Sequence, residues 1–153
     1  MTKTSEQQTR KPGTPGTLSR WFQRTMNART SAKIRRGKAS LMGMDLLVLK
    51  TVGRRSGELR ETPLARFADG DGWLVVASGG GSQHPDWHAN LAAHPDRVQV
   101  GLPGEDAKPA VAETLTGEDR ARAWQLITSA QPRYAKYQQK SDREYPIIRL
   151  TAR

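Results

Sequence analysis

The stretch LLVLKTVGRRSGELRETPLARFADGDGWLVVAS, residues 46–78, decides the fold. Residues 46–52, 60–67 and 73–78 each read as a strand. The first two are joined by GRRSG, and the second and third by ADGDG, whose Asp-Gly pairs favour the tight turns of hairpins. Successive antiparallel strands predict a meander in which the third strand runs parallel to the first. The 53–57 turn, the start of strand 60–67 and the loop 79–82 would then gather at one end. The turn raises a chemical question. A hairpin needs glycine, which Gly53 and Gly57 supply, but it has no use for Arg54, Arg55 and Arg60. Two readings stand: an exposed turn carrying solvated charge, or a cradle for a phosphate or carboxylate.

Outward from this stretch, GGGSQ breaks the chain and HPDWHANLAAHP reads as a short helix. Pro85 suits its first position, and Trp87, Leu91 and Asn90 would share a face. The glycine run entering a helix start offers backbone N–H groups and a favourable dipole to an anion. RVQVGL and PAVAETL are two more strands around the turn PGED. TGEDRARAWQLITSA is a helix opened by a capping box from Thr116 to Asp119. Pro132 begins the short helical segment PRYAKYQQK, and YPIIRLTA is a last strand. About six short antiparallel strands with a few flanking helices predict a mainly β, α+β protein, a small β-barrel with helices attached.

At 153 residues the chain is one domain's worth, and it has no cysteine. Disulfides, zinc–thiolate sites and a cysteine nucleophile are therefore excluded. The apolar run LLVLKTV is far too short to span a bilayer, and MTKTSEQQTRKPGTPG lacks the apolar core of a secretory signal. A cytoplasmic protein is expected. The net charge is +10, but residues 1–38 hold ten Lys/Arg against one acidic residue, and residues 39–153 hold fifteen against fourteen. The chain thus divides into a basic arm, 1–38, and a nearly neutral domain, 39–153, which speaks against nucleic acid as a partner of the domain. Within the arm, Leu18, Trp21, Phe22 and Met26 recur at helical spacing among arginines, predicting an amphipathic helix over about 18–35. It could pack on its own domain, touch nucleic acid, or hold the protein on an anionic membrane surface at the inner face of the cell membrane.

Side-chain catalysis has little material. His84, His88 and His94 cluster around one short helix without a HExxH pattern or completing carboxylates, so no metal is expected. No Gly-x-Ser-x-Gly elbow is present. An enzyme built this way would depend on a cofactor for its reaction, with the protein orienting it and excluding water.

TVGRRSGELRETPL, VVASGGGSQHPDWHANLAAHP and YAKYQQKSDREYPIIRL together resemble the deazaflavin-dependent nitroreductase family of actinobacteria, over roughly residues 46–150. The resemblance implies a split β-barrel and coenzyme F420. It implies that Arg54, Arg55, Ser56 and Arg60 hold the phosphate and polyglutamate tail, and that Thr62, Pro63 and Leu64, with Ala65 beside them, line the deazaflavin ring. Ala77, Ser78 and Gly79 would stand at the ring's far edge. Trp87, His88 and Asn90 would close over the cofactor, with Asp86 and Ala89 in the same helix, and Tyr134 would position the substrate. Relatives often carry an aromatic residue at Ala65, lysine at Gly79 and a further tyrosine near Gln131, so the substrate wall differs here. The expected activity is hydride transfer from reduced F420 to an electron-poor small-molecule acceptor: a quinone, an activated alkene or a nitro compound. FMN chemistry in the same barrel and a non-catalytic F420 carrier are the alternatives. The sequence leaves the oligomeric state open.

Overall fold

The computed structural model describes residues 40–41, 43–79 and 83–153. Its eight described strands are β1 (Ser40–Leu41), β2 (Met44–Val52), β3 (Leu59–Ala65), β4 (Phe67–Asp69), β5 (Gly72–Val76), β6 (Gln99–Gly101), β7 (Lys108–Thr114) and β8 (Ile147–Ala152). They follow the order β1-β2-β6-β7-β8-β5-β4, with β3 on the free side of β2, and every pairing is antiparallel. β3 and β4 are separated by Arg66 alone, whose N–H donates to the Asp45 carbonyl at 2.9 Å. The outer strands of the two half-sheets are therefore one segment bent at Arg66, and the sheet closes on itself as a barrel. The 1–38 arm and its expected helix lie outside the described residues, as do Gly80, Gly81 and Ser82 of the glycine run.

Three apolar clusters explain why the strands read as apolar runs. Leu47 and Leu49 of β2, Val75 of β5, and Ile148 and Leu150 of β8 share the barrel interior with Trp87. Leu74, Val76 and Ile147 point the other way, into a second cluster under the helices with Phe67, Ala123, Ile127 and Tyr134. Leu46 and Val48 form a small third group on the outer side of β2. Strands covered on both faces lose the alternation of a half-solvated sheet and become continuous hydrophobic stretches.

The helices are α1 (Asp86–Ala93), α2 (Gly117–Ala130) and α3 (Arg133–Gln139), with a 3-10 turn at Pro95–Arg97. Trp87, Asn90 and Leu91 are the buried face of α1, as their spacing predicts. Three expectations need correction. Residues 60–67 and 73–78 do not form one hairpin: β3 pairs with β2, and only the short β4 pairs with β5, across the two-residue loop Gly70–Asp71. A strand that turns a barrel corner must leave one sheet for the other, and no glycine or proline marks Arg66 as the place. Pro85 stands just before α1 rather than at its first position. The capping box at Thr116 does not form either, because its side chain makes no cap hydrogen bond. The Asp119 carboxylate is taken by Arg149, whose Nη1 and Nη2 donate to it at 2.9 and 2.8 Å, and by Arg122 at 2.8 Å. Those bonds hold its carboxyl far below the usual carboxylate range.

Candidate functional site

The 53–57 turn is built by its two glycines. Gly53 N–H donates to the Glu58 carbonyl at 2.8 Å, and Gly57 N–H donates to the Gly53 carbonyl at 2.9 Å. Gly57 lies at φ 72, the left-handed region that suits glycine, and a Cβ on Gly53 would sit 2.5 Å from Ser56 Oγ. The arginines then go to different tasks. Arg54 turns inward: its backbone N–H and Nη1 donate to Asn90 Oδ1 at 3.1 and 3.0 Å, and Nη2 donates to Asp86 Oδ1 at 3.3 Å. Asn90 is 5% exposed, so this pairing satisfies a buried amide and ties the turn to α1. Arg55 stays exposed at the tip. Arg60 reaches Ser56 Oγ at 3.5 Å and the exposed Glu58 carboxylate at 3.5 Å, a loose arrangement beside open solvent.

β3 carries the site away from the turn. None of its residues is fully buried, although Pro63, Leu64 and Ala65 are apolar. Pro63, opposite Val48, is tolerated because, among the described residues, β3 has no partner beyond β2 to claim its missing N–H. Leu64 packs on the barrel interior and Ala65 on the second cluster, as alternation along a strand requires. Five strand steps place Arg60 and Ala65 about 17 Å apart. Tyr134 lies in the cluster that Ala65 touches. Its ring is edge-on to Phe67 at 5.8 Å, its hydroxyl donates to Met44 Sδ at 3.8 Å, and burial raises its pKa.

Counted through β6, β7 and β8, β5 runs in the same sense as β2, so residues 77–79 leave the sheet at the end where the turn lies. Ala77 is buried, Ser78 half-buried and Gly79 exposed. From there the chain passes to α1, which holds Arg54. The fold thus brings together the turn, the strand end 77–79 and α1. Within α1, Asp86 is exposed and His88 and Ala89 half-buried, while Trp87, 6% exposed, packs in the barrel interior. His84 and His88 stack edge-on at 5.2 Å. Burial lowers the pKa of both, aided by Arg143 at each and by His84 at His88, so both rings favour the neutral form. Among the described residues no three His, Cys, Asp or Glu side chains gather as a metal site. Sequence reasoning missed Arg143, whose guanidinium donates to the carbonyls of Ala77 and Gly79. It stood inside the quoted motif, with no local pattern to reveal a partner 64 or 66 positions away.

A model of the family described as F420H(2)-dependent quinone reductase matches residues 19–152. This chain belongs to that family. An F420H(2)-dependent quinone reductase of Mycobacterium tuberculosis is 35% identical over 150 residues, covering 89% of this chain and 99% of the relative. A solved F420-H2 dependent reductase is 36% identical with a TM-score of 0.60, covering 69% of this chain and 92% of the other. A second solved structure, described as a domain-swapped dimer, is 30% identical with a TM-score of 0.63, covering 88% and 99%. Membership of the F420H(2)-dependent quinone reductases makes the chain an α+β barrel oxidoreductase with coenzyme F420 as its cofactor. The match begins at residue 19, so the family's sequence pattern reaches further into the basic arm than the motifs did.

Proposed function

We propose that this chain transfers hydride from reduced F420 to a quinone along the free edge of β3. The observation that carries the reading is a division of labour on one strand. Among the described residues, Arg55 and Arg60 stand at its start without a tight carboxylate partner, and half-exposed Pro63, Leu64 and Ala65 follow. Those residues fit an elongated cofactor with an anionic tail and a flat ring. When bound, F420 supplies the hydride from C5 of its deazaflavin. The chain's part is to bind and orient. Arg55, Ser56 and Arg60 hold the tail, Thr62 through Ala65 support the ring, and Ala77 through Gly79 limit its far edge. Arg54 joins the tail-holding residues from the inner side of the turn, which it also anchors on Asn90 and Asp86. Trp87 and Asn90 hold α1 to the barrel and the turn, with Asp86, His88 and Ala89 on its outer side. Tyr134 backs the Ala65 end, where the acceptor would approach.

The test is a fluorescence titration of the purified full-length protein with F420, FMN and FAD in turn, followed by F420H2 oxidation with a short-chain naphthoquinone. Saturable binding of F420 in preference to FMN, and quinone-dependent oxidation, are expected. Preference for FMN would overturn the reading.

The arm supports a second element of the reading, a cytoplasmic enzyme held on an anionic inner membrane surface where lipophilic quinones reside. Its basis is the sequence of residues 18–35 alone: an apolar stripe among arginines, each basic residue near such a surface contributing about 1 kcal/mol. Among the described residues no helix is long and apolar enough to cross a membrane. Removing residues 1–38 should leave F420 binding intact, abolish flotation with anionic liposomes at low salt, and slow reduction of a long-chain quinone but not a short-chain one. Failure of the full-length protein to float would discard the membrane element and leave the reductase reading standing.

A further inference from the structure

The strand end 77–79 has an unusual support. The last ladder pair of β5 is Val76 with Ile147, and Ala77 N–H still donates to the Pro146 carbonyl at 2.9 Å. Among the described residues the ladder ends there, and the next carbonyls turn to a side chain. Arg143 Nη1 donates to the Ala77 carbonyl at 3.0 Å, and Nη2 donates to the Gly79 carbonyl at 2.7 Å. Carbonyls two residues apart on an extended chain face the same side, and the planar fork of a guanidinium spans them. Nη1 also lies 2.9 Å from His84 Nδ1; since the guanidinium can only donate, His84 accepts there and carries its proton on Nε2. Thus one side chain grips both ends of the link between β5 and α1.

Arg143 is itself held from α3. Gln138 Nε2 donates to the Arg143 carbonyl at 2.7 Å, and Gln138 Oε1 accepts from Tyr145 N–H at 2.9 Å. The guanidinium lies over the Tyr145 ring at 4.8 Å, and the Tyr145 hydroxyl donates to the Tyr137 carbonyl at 3.0 Å. Every step from α3, which carries Tyr134, to Gly79 is therefore a hydrogen bond or a ring contact.

We propose that Arg143 is a positioning residue for hydride transfer. It fixes the strand end 77–79 as the far edge of the cofactor site and, through Gln138, sets that edge relative to α3. The inference rests on the F420 site proposed above. Its chemistry is that of alignment: a small displacement of one reacting partner slows transfer strongly without unfolding anything. Lysine at position 143 would keep the charge but reach only one carbonyl at a time.

The experiment compares full-length Arg143→Lys, Gln138→Glu and Arg60→Ala with the parent. The readouts are F420 affinity by fluorescence, steady-state kinetics with a short-chain quinone, melting temperature, and hydrogen exchange at Ser78 and Gly79. Arg143→Lys should lower kcat about tenfold, with F420 affinity weakened less than that, and speed exchange at Ser78 and Gly79. Its melting temperature should stay near the parent's, a combination that a merely structural arginine would not give. Gln138→Glu, which keeps the acceptor for Tyr145 and removes the donor to Arg143, should move kcat and exchange the same way by a smaller factor. It carries the test if Arg143→Lys does not fold. Parent-like kcat in the folded Arg143→Lys protein, while Arg60→Ala binds F420 poorly, overturns the positioning role alone. Parent-like F420 affinity in Arg60→Ala overturns the site itself and this inference with it.

Discussion

Arg149 gives Asp119 two hydrogen bonds at 2.8 and 2.9 Å and Asp69 a third at 2.9 Å, whereas Arg60 meets Ser56 Oγ and the exposed Glu58 loosely, each at 3.5 Å, and Arg55 projects from the tip of its turn. Both groups of cations sit at barrel surfaces, and their surroundings are opposite. Arg149 joins β8 to α2 and to the end of β4, and its carboxylate partners push its pKa further up. All three of its nitrogens already donate to the protein's own carboxylates. At the turn, carboxylates are few and loosely placed, so an anion arriving there would make the short charge-assisted bonds that the protein has left unmade. Geometry around the cation, more than the presence of arginine, separates a fastener from a binding group.

The largest effect that would break this comparison is expected at Arg60. Arg60→Ala should weaken F420 binding by one to two orders of magnitude, in line with about 1.5–3 kcal/mol for a charged hydrogen bond, and the loss should shrink as salt is raised. Its melting temperature should hardly change. Arg149→Ala should do the reverse, lowering the melting point by about 5 °C while leaving F420 affinity within twofold. Should Arg149→Ala impair F420 binding as severely as Arg60→Ala, the two groups are not distinct. Tyr134→Phe comes next. Among the described residues its hydroxyl makes only a long contact, to Met44 Sδ, so stability should hold, while turnover falls a fewfold with cofactor affinity unchanged. Equal losses in both, or none, would remove Tyr134 from the substrate side.

The smallest effect concerns the histidines. The folded pKa of His88 lies below its unfolded value of about 6.5, so folding favours the neutral ring. That contribution is present above the unfolded pKa and is lost as pH falls through the folded one. Relative to the parent, His88→Gln should therefore flatten the decline in melting temperature below about pH 6.5. An identical decline in both proteins would assign the loss to other groups.

Much of the barrel was legible because strands covered on both faces write themselves as apolar runs, as in LLVLKTV and PIIRL. The closing bend was not, since Arg66 carries no breaker and its bond to Asp45 depends on a distant strand. The glycines of the turn were legible from local chemistry. The task of Arg54 was not, because Asn90 stands 36 positions on and only the docking of α1 brings it near. Asp119 misled for a related reason: a local cap and a remote arginine competed for one carboxylate, and the arginine won. The family resemblance named residues for the cofactor, but it could not tell which of them hold the protein's own elements in place.

β8, the last strand of the described chain, is flanked by β5 on one side and β7 on the other. During synthesis the β2–β3 hairpin can form as soon as it leaves the ribosome, since its partners are neighbours in sequence. The second half-sheet must wait, because Leu74 has no ladder partner on that side until Arg149 emerges. From the emergence of β5 until that of β8 the chain therefore leaves one edge of β5 unpaired, with Leu74, Val75 and Val76 uncovered. Loss of a few residues from β8 would leave that exposure permanent, and the product would be open to aggregation rather than merely less stable.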